Sequence, residues 1–302
     1  MKILLLGEYS NVHATLAHGL RSLGHEVTLA SNGDFWKGYP RDIDLSRKLG
    51  KLGGISLIAR VGMLLPRLRG YDIVQIVNPL FLELKAEKNR MVFDFLRRHN
   101  KKVVMGAFGL DYYWVKRSDE LIFRYGDVNI GSALRHDAEA EAQRADWVGT
   151  DKEMLTKHCA ACADAIVSGL YEYDAVYRQL FPDKTTFIPF PIVLDNSQPE
   201  PHDQSGQKVI IFIGVSRGRS AYKGTDVMLR AAQAITERYP EHVELKVAEG
   251  VPFDEYRRMM LGSDLLLDQL YSYTPAMNAL EAMSHGIICV EGGKPETYKI
   301  IG

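Results

Sequence analysis

Three residues in the last third of the chain have the types and spacing to grip an anionic ligand: Arg217, Lys223 and Glu281. The two cations lie in residues 214–224 (GVSRGRSAYKG), a loop opened by Gly214 that follows the apolar run at 209–213 and precedes a helical pattern. In an open α/β sheet, ligands bind at this place, outside the carboxyl ends of the strands. Cations here suit a phosphate group. Arginine can contact it bidentately, lysine acts as a point charge, and free N–H groups at a helix start add partial positive charge. A solvated basic loop is the bland alternative, and the strand-end position argues against it.

A second constellation runs through residues 272–283 (SYTPAMNALEAM) and is closed by His285-Gly286. Thr274 is the expected N-cap and Pro275 the first helical residue, so that Ala276 and Met277 point free N–H groups at a phosphate. Glu281 falls two turns inside the helix among apolar neighbours. A carboxylate there needs a partner, because burying it unpaired is costly. A ribose diol would serve, and so would an Arg or Lys of the chain itself. Neither loop is a Walker sequence, and residues 7–13 (GEYSNVH) lack the dinucleotide fingerprint, which leaves a nicotinamide enzyme poorly supported.

These paired motifs resemble the retaining GT-B glycosyltransferases of glycosyltransferase family 4. The resemblance rests on Arg217-x5-Lys223-Gly224, on Leu280-Glu281-Ala282-Met283 with Gly286, on Pro189-Phe190-Pro191 up to Asp195, and on Gly24-His25-Glu26-Val27 near the start. It covers most of the chain, least of all residues 32–70. It implies two facing Rossmann-like domains, with a nucleoside-diphosphate sugar (UDP or GDP type) on the second and a glycan or lipid-linked acceptor on the first. Arg217 and Lys223 would neutralise the leaving diphosphate and Glu281 would hold the ribose, with no metal and no further cofactor. His13, in the first strand–helix loop, would face the cleft. Two positions depart from the family. The acid expected eight residues before Glu281 is Tyr273, and where the family often has His-Gly-x-Asp this chain has Phe108-Gly109-Leu110-Asp111. By the resemblance both departing positions would handle the sugar; Tyr273, Asp111, where the frame still fits, and His13 are the candidate donor or acceptor contacts. A catalytically weak sugar-nucleotide-binding subunit and a sugar-nucleotide epimerase are the competing readings.

The elements that must position these residues follow from periodicity. Residues 2–6 form an apolar run ending at Gly7, as in a parallel strand buried on both faces. Val12, Leu16, Leu20 and Leu23 then mark one face of a helix stopped by Gly24, and residues 26–30 supply the next strand. This strand–helix–strand unit predicts a parallel sheet with a right-handed crossover. Strands are expected at 72–77, 102–105, 146–148, 165–168 and 186–188, and a helix at 84–98. The alternation restarts with strands at 209–213, 244–247, 264–267 and 287–290, and helices at 253–261 and 275–284. The fold class is therefore α/β, with an N-terminal domain at 1–190, a polar, proline-bearing linker at 191–207, and a C-terminal domain at 208–302. That second domain reads as truncated, since a doubly wound sheet would continue beyond Gly302.

Composition narrows the function classes. Lys+Arg 37 against Asp+Glu 38 gives a net charge of −1, which argues against general nucleic-acid binding. No apolar run approaches the ~18 residues of a spanning helix, and the N-terminal run lacks a signal-peptide cleavage site. Three cysteines imply no disulfide framework and suit a reducing cytoplasm. Cys159-x-x-Cys162 beside His158 offers too few ligands for a zinc site. Arg67 and Arg69 next to the apolar residues 61–65 could rest on anionic lipid, placing the protein peripherally on the inner membrane face.

Overall fold

The computed structural model describes residues 1–48, 50, 52–194 and 208–301, with side chains for all of these but Arg217, Lys299 and Ile301. In the N-terminal half the order is β1 (Lys2–Leu6), α1 (Val12–Ser22), β2 (Glu26–Ser31), β3 (Ile43–Asp44), α2 (Gly53–Leu64), β4 (Ile73–Ile76), α3 (Ala86–His99) and β5 (Lys102–Ala107). There follow α4 (Tyr112–Asp119), β6 (Tyr125–Gly126), β7 (Asn129–Ile130), β8 (Ala133–Leu134), α5 (Ala138–Trp147), α6 (Asp151–Cys162), β9 (Ala165–Ser168), α7 (Tyr171–Leu180) and β10 (Thr185–Phe187). The C-terminal half holds β11 (Val209–Val215), α8 (Ser220–Lys223), α9 (Thr225–Arg238), β12 (Val243–Glu249), α10 (Phe253–Leu261), β13 (Leu265–Leu267), α11 (Met277–Ser284) and β14 (Ile288–Val290).

Two parallel sheets result. The first has seven strands in the order β10-β9-β5-β4-β1-β2-β3, the second four in the order β12-β11-β13-β14, and a small antiparallel sheet of β6, β7 and β8 lies beside them. The chain thus forms two Rossmann-like domains. In each large sheet one strand has its sequence successor on one side and a later strand on the other: β1 sits between β2 and β4, and β11 between β12 and β13. Loops leaving the carboxyl ends diverge there and open a crevice. The short strand 146–148 expected from Asp-Trp-Val is instead the end of α5. The Ala- and Glu-rich stretch before it favours helix, and Asp137 starts that helix by accepting a hydrogen bond from Ala140 N–H at 3.2 Å.

The main apolar core runs through β1, β4 and β5 (Leu4, Leu6, Val74, Ile76, Val103, Met105) and continues into Tyr273 and Met277 of the second half. The C-terminal half keeps a smaller core around Phe212, Leu266 and Ala282. Residues 273–277 therefore bury apolar surface against the other domain, which fixes the 268–276 loop in place. Residues 195–207, most of the expected linker, lie outside the described residues.

Candidate active site: a cleft between two sheets

A cleft of about 2000 Å³ opens between the carboxyl ends of the two sheets. Its C-terminal wall carries Gly214, Val215, Ser216, Tyr222, Lys223, Asp268, Ala276, Met277, Asn278 and Glu281. At its lips Trp36 and Tyr39 meet Phe253 edge-on, with ring centroids 5.7 and 5.4 Å apart.

Lys223 ends the short helix α8, just before Gly224 turns the chain through the left-handed region (φ 70°) into α9. Glycine accepts that conformation without a Cβ penalty. The Lys223 carbonyl accepts from the N–H groups of Leu270 and Tyr271 at 2.9 and 3.2 Å, which ties two cleft-lining loops together. Its ammonium lines the cleft and has neither an ion pair nor a hydrogen bond among the described residues. Burial pulls its pKa below the ordinary lysine value, against the opposing pull of Asp268. A desolvated cation without a partner is a ready anion contact. Arg217 lies in a helical turn at residues 217–219 of the same loop, and its side chain is outside the described residues.

The other cationic element is the start of α11. Ala276 occupies the N-cap in extended conformation (φ −91°, ψ −179°), and no side chain caps the helix. The first amides, at Met277 and Asn278, sit on the cleft wall. Behind them, Tyr256 crosses the end of β11 so closely that a Cβ at Gly214 would come within 2.6 Å of its ring. The Tyr256 hydroxyl donates to Asn278 Oδ1 at 3.1 Å, and Asn278 Nδ2 donates to Asp268 Oδ1 at 2.8 Å. Glycine at 214 is what leaves room for this chain of contacts.

Glu281 lines the cleft two turns into α11, and its carboxylate is paired with Arg257 of α10 (Nε–Oε1 2.5 Å). The chain itself thus supplies the partner. Both groups sit on the cleft surface, within reach of a ligand.

Four expectations are corrected. Thr274 is not the N-cap of α11. The helix begins later, and the Thr274 hydroxyl accepts from Tyr171 N–H (2.9 Å) while donating to Glu172 Oε2 (3.1 Å), so it joins the two domains. His13 does not face the cleft. It is fully buried, with Nδ1 2.8 Å from the Gly7 carbonyl and Nε2 3.2 Å from Gln75 Nε2, so Nδ1 carries the proton and Nε2 accepts. Burial lowers its pKa to about 4. Asp111 is also fully buried, capping α4 through Trp114 N–H (3.0 Å) and accepting from the Tyr177 hydroxyl (2.5 Å). Burial raises its pKa to about 6. Residues 214–224, expected to be a loop, contain helical turns on either side of Arg219.

The two departures from the family pattern are now placed. Phe108 is a buried lining residue whose ring lies edge-on to Phe190 (5.4 Å) and His13 (6.2 Å). Tyr273 lines the cleft but is turned toward the N-terminal half, its hydroxyl accepting from Tyr125 N–H at 3.2 Å. Next to it Tyr271 stacks on Tyr125 at 5.0 Å. Of the aromatic run after Asp111, Trp114 reaches the cleft and donates from its indole to Asp127.

Several lining residues escaped the sequence reading. Asp127 and Glu172 enter from the N-terminal half, and Asp268, Tyr256 and Arg257 from the C-terminal half. Burial raises the Glu172 pKa to about 7. Asp268 alone had a legible signal, since it ends an apolar strand on the ligand side of the sheet. No group of three or more His, Cys, Asp or Glu side chains among the described residues is placed to hold a metal ion.

No protein-family model matches the chain, and no curated protein matches its sequence. Solved structures match it in fold. Sucrose-phosphate synthase from Thermosynechococcus elongatus superposes with a TM-score of 0.54 at 14% identity, covering 97% of this chain and 82% of that one. UDP-GlcNAc 2-epimerase from Methanocaldococcus jannaschii gives 0.53 at 12% identity, over 100% and 87%. Anabaena HepE, in complex with UDP and glucose, gives 0.52 at 14% identity, over 97% and 81%. Two parallel α/β domains facing across a cleft, matched over nearly the whole chain, give this protein the GT-B fold.

Proposed function

We propose that this protein transfers a sugar, with retention, from a nucleoside-diphosphate sugar of UDP or GDP type to a glycan or lipid-linked acceptor. Lys223 carries the reading: its ammonium has no partner among the described residues, and it stands on the wall that also bears the uncapped start of α11. As the bond from the sugar's anomeric carbon to the diphosphate breaks, the sugar becomes oxocarbenium-like and negative charge gathers on the leaving group. Lys223 and the amides of Met277 and Asn278 oppose that charge from fixed positions, a form of stabilisation that can be the largest catalytic contribution, and Arg217 of the same loop is assigned to the same charge. The new bond forms from an acceptor hydroxyl on the same face, and the hydroxyl proton is released. Gly214 leaves room for Tyr256, which fixes Asn278 at the start of α11, and Glu281, shared with Arg257, holds the ribose. A lipid-linked acceptor fits α2, which exposes Ile55, Ile58 and Met63 just ahead of the exposed Arg67 and Arg69. Among the described residues no helix is long and apolar enough to cross a membrane.

The test is binding of UDP and GDP by calorimetry and thermal shift. Lys223→Ala should weaken the preferred diphosphate roughly 30-fold or more, the usual cost of removing a buried charge contact. Unchanged affinity in both Lys223→Ala and Arg217→Ala would sink the proposal.

One observation favours a second reading, epimerisation of the sugar. Glu172, in the cleft wall with a pKa near neutrality, has the properties of a group that moves a proton on carbon. Incubating the protein with UDP-N-acetylglucosamine in D2O without acceptor separates the two. Deuterium at the sugar C2 together with an epimer would replace transfer by epimerisation.

A further inference from the structure

We infer that Asp268 reads the sugar of the donor, accepting a hydrogen bond from one of its hydroxyl groups in place of the acid absent at position 273. This inference rests on the nucleotide-sugar reading above. Asp268 follows β13 directly, at the crevice between β11 and β13, and only 9% of its surface is exposed. One carboxylate oxygen, Oδ1, accepts from Asn278 Nδ2 at 2.8 Å. The other, Oδ2, is buried on the cleft wall and has no hydrogen-bond partner among the described residues. Buried carboxylate oxygens are nearly always paired, because leaving one unmade forfeits its hydration without return. Glu291 Oε2 and Glu296 Oε2 are likewise buried without a partner among the described residues, but Asp268 is held rigidly at the strand end, since Asn278 is itself fixed by the Tyr256 hydroxyl.

The chemistry of the group selects the ligand atom. An ionised carboxylate only accepts hydrogen bonds, and it repels phosphate oxygens. Its counterpart must therefore be a donor, such as a sugar hydroxyl. Lys223 lies within electrostatic reach of Asp268 yet forms no ion pair with it. A molecule with an anion at one end and hydroxyls at the other satisfies both. A diphosphate held by Lys223 and the α11 amides would carry its sugar along this same wall. Tyr273 cannot fill the role, because its hydroxyl is engaged by Tyr125 N–H and its ring packs against Tyr171 and Phe123 at the domain junction.

The experiment compares wild type with Asp268→Asn by calorimetry, using UDP and GDP alongside UDP-glucose, UDP-N-acetylglucosamine and GDP-mannose. The substitution keeps the oxygen that Asn278 needs and replaces the free oxygen by an NH2 group. Diphosphate affinity should stay within about twofold, while affinity for the preferred sugar nucleotide falls about tenfold or more, the worth of one hydrogen bond to a charged group. Equal loss for diphosphate and sugar nucleotide, which a ribose contact or a purely structural role would produce, overturns the inference, as does no loss. Should Asp268→Asn fail to fold, wild type is titrated with sugar nucleotides deoxygenated at one sugar position at a time. A loss of about tenfold at one position supports the inference, and an unmoved series overturns it. Wild type binding none of the five ligands brings down the nucleotide-sugar reading itself.

Discussion

The two halves of the molecule present a helix start to the cleft in opposite ways. In the N-terminal half, Glu8 folds back over the start of α1, and its two oxygens accept from His13 N–H (3.2 Å) and Ala14 N–H (2.8 Å). That carboxylate is 2% exposed, and burial raises its pKa to about 7. In the C-terminal half the start of α11 carries alanine at the N-cap and no side-chain acceptor. The same backbone feature is thus filled by the protein in one domain and left vacant in the other. A helix start that is already neutralised adds little to anion binding, whereas an open one keeps its partial charge for a ligand. Two copies of one architecture thus differ at this point, and the proposed phosphate site lies in the second.

The contrast can be broken from either side. The largest effect is expected from Glu8→Ala, which leaves two buried N–H donors without acceptors and should cost about 2 kcal/mol of stability. Chemical denaturation measures this, and diphosphate affinity should not move. Next comes Ala276→Asp, which gives α11 the cap it lacks. The extended backbone at 276 suits an aspartate, so stability should rise by about 0.5–1 kcal/mol. Diphosphate binding should weaken about tenfold, because the new carboxylate occupies and repels the anion site. A variant that is stabilised and still binds normally would show that α11 does not meet the phosphate.

The smallest effect is on pH dependence. Glu8 and Asp111 have folded-state pKa values of about 7 and 6 against ordinary values of 4.5 and 3.8, so the stability they contribute is complete below the lower pair and lost as pH rises through the upper. His13 runs the other way: lowered from 6.5 to about 4, its contribution is present above 6.5 and lost as pH falls toward 4. The N-terminal half should therefore be most stable on the acid side of neutrality. Melting temperature should decline from pH 6 to pH 8, with these three groups together contributing roughly 1 kcal/mol in stability terms. Glu8→Gln should flatten that slope.

How much of this was legible in the sequence depends on how local the cause is. Strands β1 and β9 and helix α10 were readable to the residue, because an apolar run or a helical stripe is set by neighbours a few positions apart. The place of Lys223 on the cleft wall was also readable, since the loop after a buried parallel strand opens at the carboxyl end of the sheet. The failures involve partners distant in sequence. Thr274 looked like a cap by its place before Pro275, but Tyr171 and Glu172, about a hundred residues earlier, claim its hydroxyl. His13 and Asp111 looked available because both fall at strand–helix junctions, and only tertiary packing shows each of them buried with its own protein partners. The position of Glu281 two turns into α11 was legible, yet nothing local announces Arg257.

The junction around residues 271–274 has a bearing on tempo. For the cleft to widen, Tyr271 must leave the face of Tyr125, and the Thr274 hydroxyl must leave both Tyr171 and Glu172. Of these ties, the one to Glu172 strengthens when that carboxyl is ionised, and its pKa of about 7 puts the change within the neutral range. Widening of the cleft is thus governed partly by a threonine and a glutamate at the domain junction, so under the proposed function a slow release of spent nucleotide would originate in the joint while the pocket stays intact.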